Sequence, residues 1–462
     1  MKYVSLFFLA LILLRPLSHS QEKAQKPSEK FVAEIDTAAV IQQTLIESPD
    51  ARTIAYVGRK EHRQYVVLQG KKQKGYEGIG TTGIVFSPNS KRTAYLARNG
   101  SQFFIVVDGA EQERYEGLGT DPVFSPDSRH VAVVALGEND QFVVADNKEQ
   151  KHYEGIGGRG PIYSPDSKHM GYVVVEKDKY FFVLDGREGK KYEGLPMNTV
   201  AFSPNGARYA YAATEKGKTF IVLNGKEQKS FAAGVDVLPV FSPDSKHFAF
   251  LASDPNGISA VLDGKAGKRY DRIAGESLTF SDGGRFAYIA QSGERWFVVV
   301  DGKEQPYYDN IGVNTFRFGT GGKSFTYVAI KDNKRTVVVN GVEGKLYDAV
   351  PEGNPIMSPD GKHVAYLAQS AGKWYLVVDG KESTGYPNVR GGTLKFSPDN
   401  RHVVYVGAIN GNIVLVVDDK PGTAYDEIFT RGTGKIVFDG PSRVHYLAAK
   451  QSKVVLVEEQ LK

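Results

Sequence analysis

Hydrophobic and polar positions repeat along this chain with a period of about 39 residues. One unit shows the pattern. In residues 240–253 (VFSPDSKHFAFLAS) two apolar residues precede Ser-Pro-Asp, Lys246-His247 follows, and a second apolar run begins at Phe248. A polar loop leads to a third run that is nearly all apolar, as at 103–107, 180–184, 296–300 and 374–378. Continuous apolar runs of this length read as strands buried on both faces. Pro243 presets φ and Asp244 caps a tight turn between the first and second strands. The third strand ends in Asp-Gly or Asn-Gly (Asp108-Gly109, Asp185-Gly186, Asn224-Gly225, Asp301-Gly302), the pairs that tolerate a type I′ hairpin turn. A fourth, polar strand carries Lys-Glu-Gln and closes on an aromatic such as Tyr76, Tyr153 or Tyr270.

The Ser-Pro-Asp-like turns start at Ser48, Ser87, Ser125, Ser164, Ser203, Ser242, Ser281, Gly319, Ser358, Ser397 and, in degenerate form, Asp439. Eleven units of four antiparallel strands predict an all-β protein, a β-propeller of about eleven four-stranded blades. That exceeds the usual range of roughly four to eight blades. Either two propellers stand in tandem or one large ring closes. Unit five departs most, with Phe231-Ala-Ala-Gly-Val where others read Tyr-Glu-Gly-Ile, and this favours two propellers, 34–234 and 235–462. The last unit ends on a third strand at 453–459, so residues 31–41 are expected to supply its missing fourth strand and close the ring near 454–457, since open sheet edges are costly.

The repeated Phe-Ser-Pro-Asp-Ser-Lys-His-x-Ala-Tyr motif, seen with variants at 396–405, resembles the WD40-like repeat called PD40, found in the TolB propeller and other bacterial extracytoplasmic proteins. The resemblance covers all eleven units and implies the propeller fold. TolB carries an α/β domain before its propeller. Residues 21–47 are too few for one, so the resemblance does not extend to TolB itself.

Lys2, an apolar run at 3–14 and Ser18-His19-Ser20 have the order of a secretory signal peptide cleaved after Ser20. About 12 apolar residues fall short of the ~20 needed to span a bilayer, so the mature chain is expected to be extracytoplasmic, periplasmic or secreted, and not membrane-spanning. Residues 21–33 read as a flexible lead-in. The chain holds 58 Lys and Arg against 53 Asp and Glu; losing residues 1–20 removes two bases and leaves +3, too even for a nucleic-acid surface. With no cysteine there is no disulfide framework, thiolate metal site or Cys nucleophile.

Five histidines share one repeat slot (His130, His169, His247, His363, His402), where Arg92, Arg208 and Arg285 stand in other units. Arg cannot ligate a metal, so the slot reads as a solvated cationic position. Eighteen of the 25 tyrosines fill two repeat slots and read as blade packing. Residues 155–160 (GIGGRG) match a dinucleotide fingerprint but fall between strands with no helix, and Gly322-Lys323-Ser324 lacks the rest of a phosphate loop. Gly-x-Ser-x-Gly and His-Glu-x-x-His are absent.

What remains is the crossing between blades, which varies while the turns stay uniform. The candidate partner-binding residues are Asp121, Arg159, Asn198, Asp236, Glu276, Asn314, Asn354, Arg390 and Arg431. The leading expectation is a non-catalytic exported scaffold that binds a protein or glycan of the cell envelope through this face. No cofactor is expected. An alternative is a channel-sited enzyme, lactonase-like or glycan-cleaving, with Ca²⁺ held by Asp121, Asp236, Glu276 or Glu352. A third is a structural envelope component.

Overall fold

The computed structural model describes residues 26–196, 200–228, 239–351, 353–430 and 435–461. Their strands form eleven antiparallel sheets, one per repeat unit. Blade 2 is typical: Gly78–Phe86, Thr93–Asn99, Gln102–Val107 and Ala110–Tyr115 pair in that order. The second and third strands are buried and the fourth is mostly exposed, as the apolar and polar runs require. Asp108 (φ 52°) and Gly109 (φ 83°) both take the left-handed backbone of a type I′ turn.

Each main apolar cluster joins two consecutive blades. Val66 of blade 1 packs with Phe104 of blade 2, and Ile221 of blade 5 with Phe250 of blade 6. Leu447 and Val454 of blade 11 pack with Ile54 of blade 1. The sequence of such interfaces passes through every blade and returns to the first. The eleven blades are therefore a single ring. This corrects the preference for two propellers: blade 5 buries its apolar face against blade 6 like any other pair. The boundary expected near 235 falls in 229–238, outside the described residues.

The ring closes through the N-terminal segment. Ser28–Glu34 runs antiparallel to Lys453–Gln460, with Phe31 opposite Val455 and Ala33 opposite Val454. It is the fourth strand of blade 11, whose other strands come from the C-terminal end of the chain. The strand starts earlier than the expected 31–41, so residues 28–33 belong to the sheet and not to a lead-in. The chain then crosses to blade 1, where Val40 bridges Gly58 and the Ile41 N–H donates to the Val57 carbonyl at 2.8 Å. The expected signal peptide, 1–20, lies outside the described residues. Among the described residues no helix is long and apolar enough to cross a membrane.

Candidate functional site

The two faces of the ring are built differently. On one, the first-to-second strand turn meets the third-to-fourth hairpin. Asp108 of the hairpin accepts the Thr93 N–H at 2.9 Å and binds Arg92 Nε at 2.8 Å. On the other, the interblade crossing meets the second-to-third turn: Glu77 accepts the Gly100 N–H at 2.9 Å.

On the turn face the repeated residues are consumed in holding blades together. Ser125 Oγ donates to Asp127 Oδ1 at 2.6 Å and accepts the His130 N–H at 2.9 Å. The Asp127 N–H reaches Ser167 Oγ of the next blade at 2.9 Å. Asp50 to Ser90, Asn89 to Ser128 and Asn205 to Ser245 repeat this clip at 2.9–3.0 Å. The serine hydroxyl is the main cause holding the carboxyls of Asp127, Asp166, Asp244, Asp360 and Asp399 below the usual range. The histidine slot is not merely solvated. His130, His169, His247, His363 and His402 each bring Nδ1 within 2.6–2.7 Å of the hairpin Asp of their own blade, and Arg285 does the same with Asp301 at 2.7 Å. Arg and His can share the slot because its task is to bind a carboxylate.

The rim is also committed. Lys74, Lys151, Lys190, Lys268 and Lys345 each bind a glutamate of the following blade at 2.6–2.7 Å. The two tyrosine slots meet edge-on between blades, as in Tyr347–Tyr366 at 5.9 Å and Tyr386–Tyr405 at 6.1 Å. Burial pushes the Tyr192 hydroxyl up to about 12. The tyrosines are packing residues, as their spacing implied.

The crossing face splits the candidate residues into two groups. Arg159, Glu276 and Asn314 are exposed, on blades 4, 7 and 8. Glu276 and Asn314 stand in short 3-10 turns, Gly275–Ser277 and Val313–Thr315. Arg159 borders a cleft of about 200 Å³ lined by Ile162, Val173 and Phe182. Asp121 is half-buried and accepts the Thr82 hydroxyl of the preceding blade at 2.6 Å. The other group is framework. Asn354 is buried, and its Oδ1 accepts the Leu367 N–H at 2.9 Å. Arg390 is clamped to Glu427 of the next blade through Nη2 and Oε2 at 2.9 Å and donates to the Ile428 carbonyl at 2.7 Å. Asn198, Asp236, Arg431 and Glu352 lie outside the described residues.

Asn354 belongs to a repeat slot the turn motifs conceal. Thr44, Thr120, Ser277, Thr315 and Thr393 each accept a second-strand N–H at 2.8–3.1 Å at the equivalent place. The signal was a hydroxyl or amide recurring one unit apart, at 277, 315, 354 and 393. The acids named for calcium do not converge: Asp121 is on blade 3 and Glu276 on blade 7. Among the described residues no group of three or more His, Asp or Glu could hold a metal ion.

No family model and no curated protein matches the chain, so the PD40 resemblance rests on the repeated motif itself. Solved structures similar to it include a eukaryotic initiation factor (12% identity, TM-score 0.40, covering 74% of this chain and 98% of that one). Others are the β-propeller domain of the trilobed protease from Pyrococcus furiosus (15%, 0.28, 61% and 98%) and TolB from Acinetobacter baumannii (15%, 0.25, 63% and 78%). The ring and its blade count stand on this chain's own sheets.

Proposed function

We propose that this chain is an exported, non-catalytic propeller scaffold that binds a protein or glycan of the cell envelope through its crossing face. The observation that supports this most is the asymmetry between the faces. Turn-face Ser, Asp, His and Arg side chains are bound into the same clip from blade to blade. Arg159, Glu276 and Asn314 on the crossing face are exposed, chemically different from one another, and held on a rigid ring. Variable side chains on a fixed scaffold are what recognition requires. Export is supported by the order of charge, apolar run and small residues at 1–20.

A photo-crosslinking residue placed at Arg159, Glu276 or Asn314 in the native host tests the reading. The expected result is a discrete adduct from these positions and none from Lys91, Lys246 or Lys362 on the turn face. Adducts from the turn face alone would overturn the assignment of the face. N-terminal sequencing of the envelope fraction should find the chain starting near Gln21, and retention of Met1 on a cytoplasmic pool would overturn export.

A further inference from the structure

Blades 11 and 1 meet where the ring closes, and their seam is built unlike the others. Its cluster of buried apolar residues is Ala33, Ile54, Leu447, Val454 and Leu456, against eleven such residues between blades 7 and 8. Ala51 stands where Ser90, Ser128, Ser167 and Ser245 supply the hydroxyl of the interblade clip, so blade 1 offers blade 11 no such acceptor. Two polar side chains are buried at this seam. His445 is 1% exposed and pairs with Val437, in a column that holds Ala in seven blades and Gly171, Thr326 and Val404 in the other three. Glu47 is 3% exposed, in the column of Phe86, Phe124 and Phe241.

The His445 ring spans the seam. Nδ1 lies 2.8 Å from Asp439 Oδ2 of its own blade, and Nε2 lies 2.8 Å from the Asp50 carbonyl of blade 1. Burial opposes ionisation of Asp439, but the His445 bond and the charges of His445, Arg52 and Arg443 hold its carboxyl below the usual range. A carboxylate and a carbonyl only accept, so each ring nitrogen carries a hydrogen and the ring is an imidazolium. Arg443 stands on its own strand, and Glu458 faces it from the neighbouring strand. Arg52 of blade 1 places Nη2 3.4 Å from Nδ1 and 3.1 Å from Asp439 Oδ1. The Asp50 carboxylate holds the Ser48 hydroxyl at 2.5 Å. Glu47 faces blade 11, where Glu427 lies near it and the Lys435 backbone gives it a hydrogen bond; Arg390 clamps Glu427.

We propose that the seam of blades 11 and 1 is a pH-sensitive closure of the ring, held in acid and loosened in alkali by the loss of one proton each from His445 and Glu47. A neutral imidazole has one hydrogen and keeps one of the two bonds across the seam. An unfolded histidine gives up its second proton near pH ~6.5, so the link is complete below that and is lost as pH rises above it. Burial pushes Glu47 up to about 8. Its ionised form sets a carboxylate beside Glu427 in a slot that other blades fill with Phe, which disfavours the closed seam. Both proton losses therefore act in the same direction.

Amide hydrogen exchange of the full mature chain at pH 6 and pH 9, corrected for the intrinsic pH dependence of exchange, reads the opening of single seams. Residues 54–57 and 444–448 report on blades 11 and 1, and 210–213 with 248–252 on blades 5 and 6. Since pH 9 is one unit above the value for Glu47, protection at the closing seam should fall about tenfold or more relative to the other. Glu47→Gln and His445→Gln should each remove part of that fall, and the double variant all of it. His445→Ala, which installs the residue of seven blades, replaces His445→Gln should the latter fail to fold. Nitrogen-15 spectra of the histidine rings at pH 7.5 should show both nitrogens of His445 protonated. The proposal is overturned by a closing seam that keeps its protection at pH 9, by an equal loss between blades 5 and 6, or by a double variant that loses as much as the parent. A neutral His445 ring at pH 7.5 would overturn its part in the closure.

Discussion

The Tyr425 hydroxyl donates to Glu29 Oε1 at 2.9 Å across 396 residues of sequence. Lys450 Nζ binds the same oxygen at 2.8 Å. At Tyr153, Tyr270 and Tyr347 the fourth-strand tyrosine likewise reaches a glutamate of the next blade, at 3.2, 3.1 and 2.8 Å. Glu29 thus takes, from the N-terminal strand, the place that a hairpin glutamate holds in those blades. Ring closure reuses the ordinary bond between blades.

Removing residues 21–34 should therefore open the ring. The lost strand covers Val454 and Leu456 and leaves Lys453–Gln460 as an exposed edge. Several kcal/mol of stability should go with it, read as a fall in melting temperature and the appearance of oligomers. Glu29→Gln keeps the strand and should cost about 1 kcal/mol or less, because the Lys450 pair is partly exposed. Equal melting of the truncated and complete chains would disprove closure by this segment.

The turn-face clip makes a second prediction. Asp185 accepts from Met170 N–H at 2.9 Å and binds His169 Nδ1 at 2.7 Å, with φ at 50°. Asp185→Ala loses both bonds and puts alanine in a left-handed conformation. The expected cost is roughly 2–3 kcal/mol by denaturant titration. Asp185→Asn keeps an acceptor and tolerates the turn, so it should recover at least half of that loss.

Glu47 sets a pH dependence. It occupies the slot that is Phe86, Phe124 or Phe241 in other blades, is buried, and is pushed up to about 8 by desolvation. Glu427 nearby adds to this, and a hydrogen bond from the Lys435 backbone opposes it. The folded chain keeps the proton to about pH 8, whereas the unfolded chain releases it near 4.5. A raised carboxyl pKa stabilises below the unfolded value, and the advantage is lost as pH climbs from 4.5 towards 8. Glu47→Gln should remove that slope and melt higher than the parent at pH 8, by roughly 1–2 kcal/mol. Parallel melting curves of the two proteins between pH 5 and 8 would show that Glu47 does not titrate in this way.

The strands, the I′ hairpins and the tyrosine packing were legible because each is specified within one repeat. The ring was not. Units 39 residues apart look alike whether eleven close one ring or divide into two, and only Ile221 against Phe250, blade 5 against blade 6, decides. The crossing-face residues were half legible for the same reason. Arg390 and Asn354 look like free loop side chains in sequence, but their partners are Glu427, 37 residues on, and a backbone N–H 13 residues on.

That division within the crossing face gives the last prediction. Asn354→Ala strands the Leu367 N–H in a buried position, and Arg390→Ala leaves Glu427 without its clamp between blades 10 and 11. Losing a buried hydrogen-bond partner costs about 1–3 kcal/mol, so both should melt several degrees lower. Arg159→Ala, Glu276→Ala and Asn314→Ala remove exposed side chains and should stay within about 0.5 kcal/mol of the parent. If the crossing face recognises a partner, crosslinking or binding should respond in the opposite order, falling for the exposed three at unchanged stability. Asp121 stands between the groups: its bond to Thr82 joins blades 2 and 3 while its side chain remains half-exposed. Asp121→Asn keeps an oxygen for the Thr82 hydroxyl and removes the charge. A loss of binding in that variant without a change in melting would place the Asp121 charge in recognition, and a fall in melting alone would place it in the framework with Asn354 and Arg390.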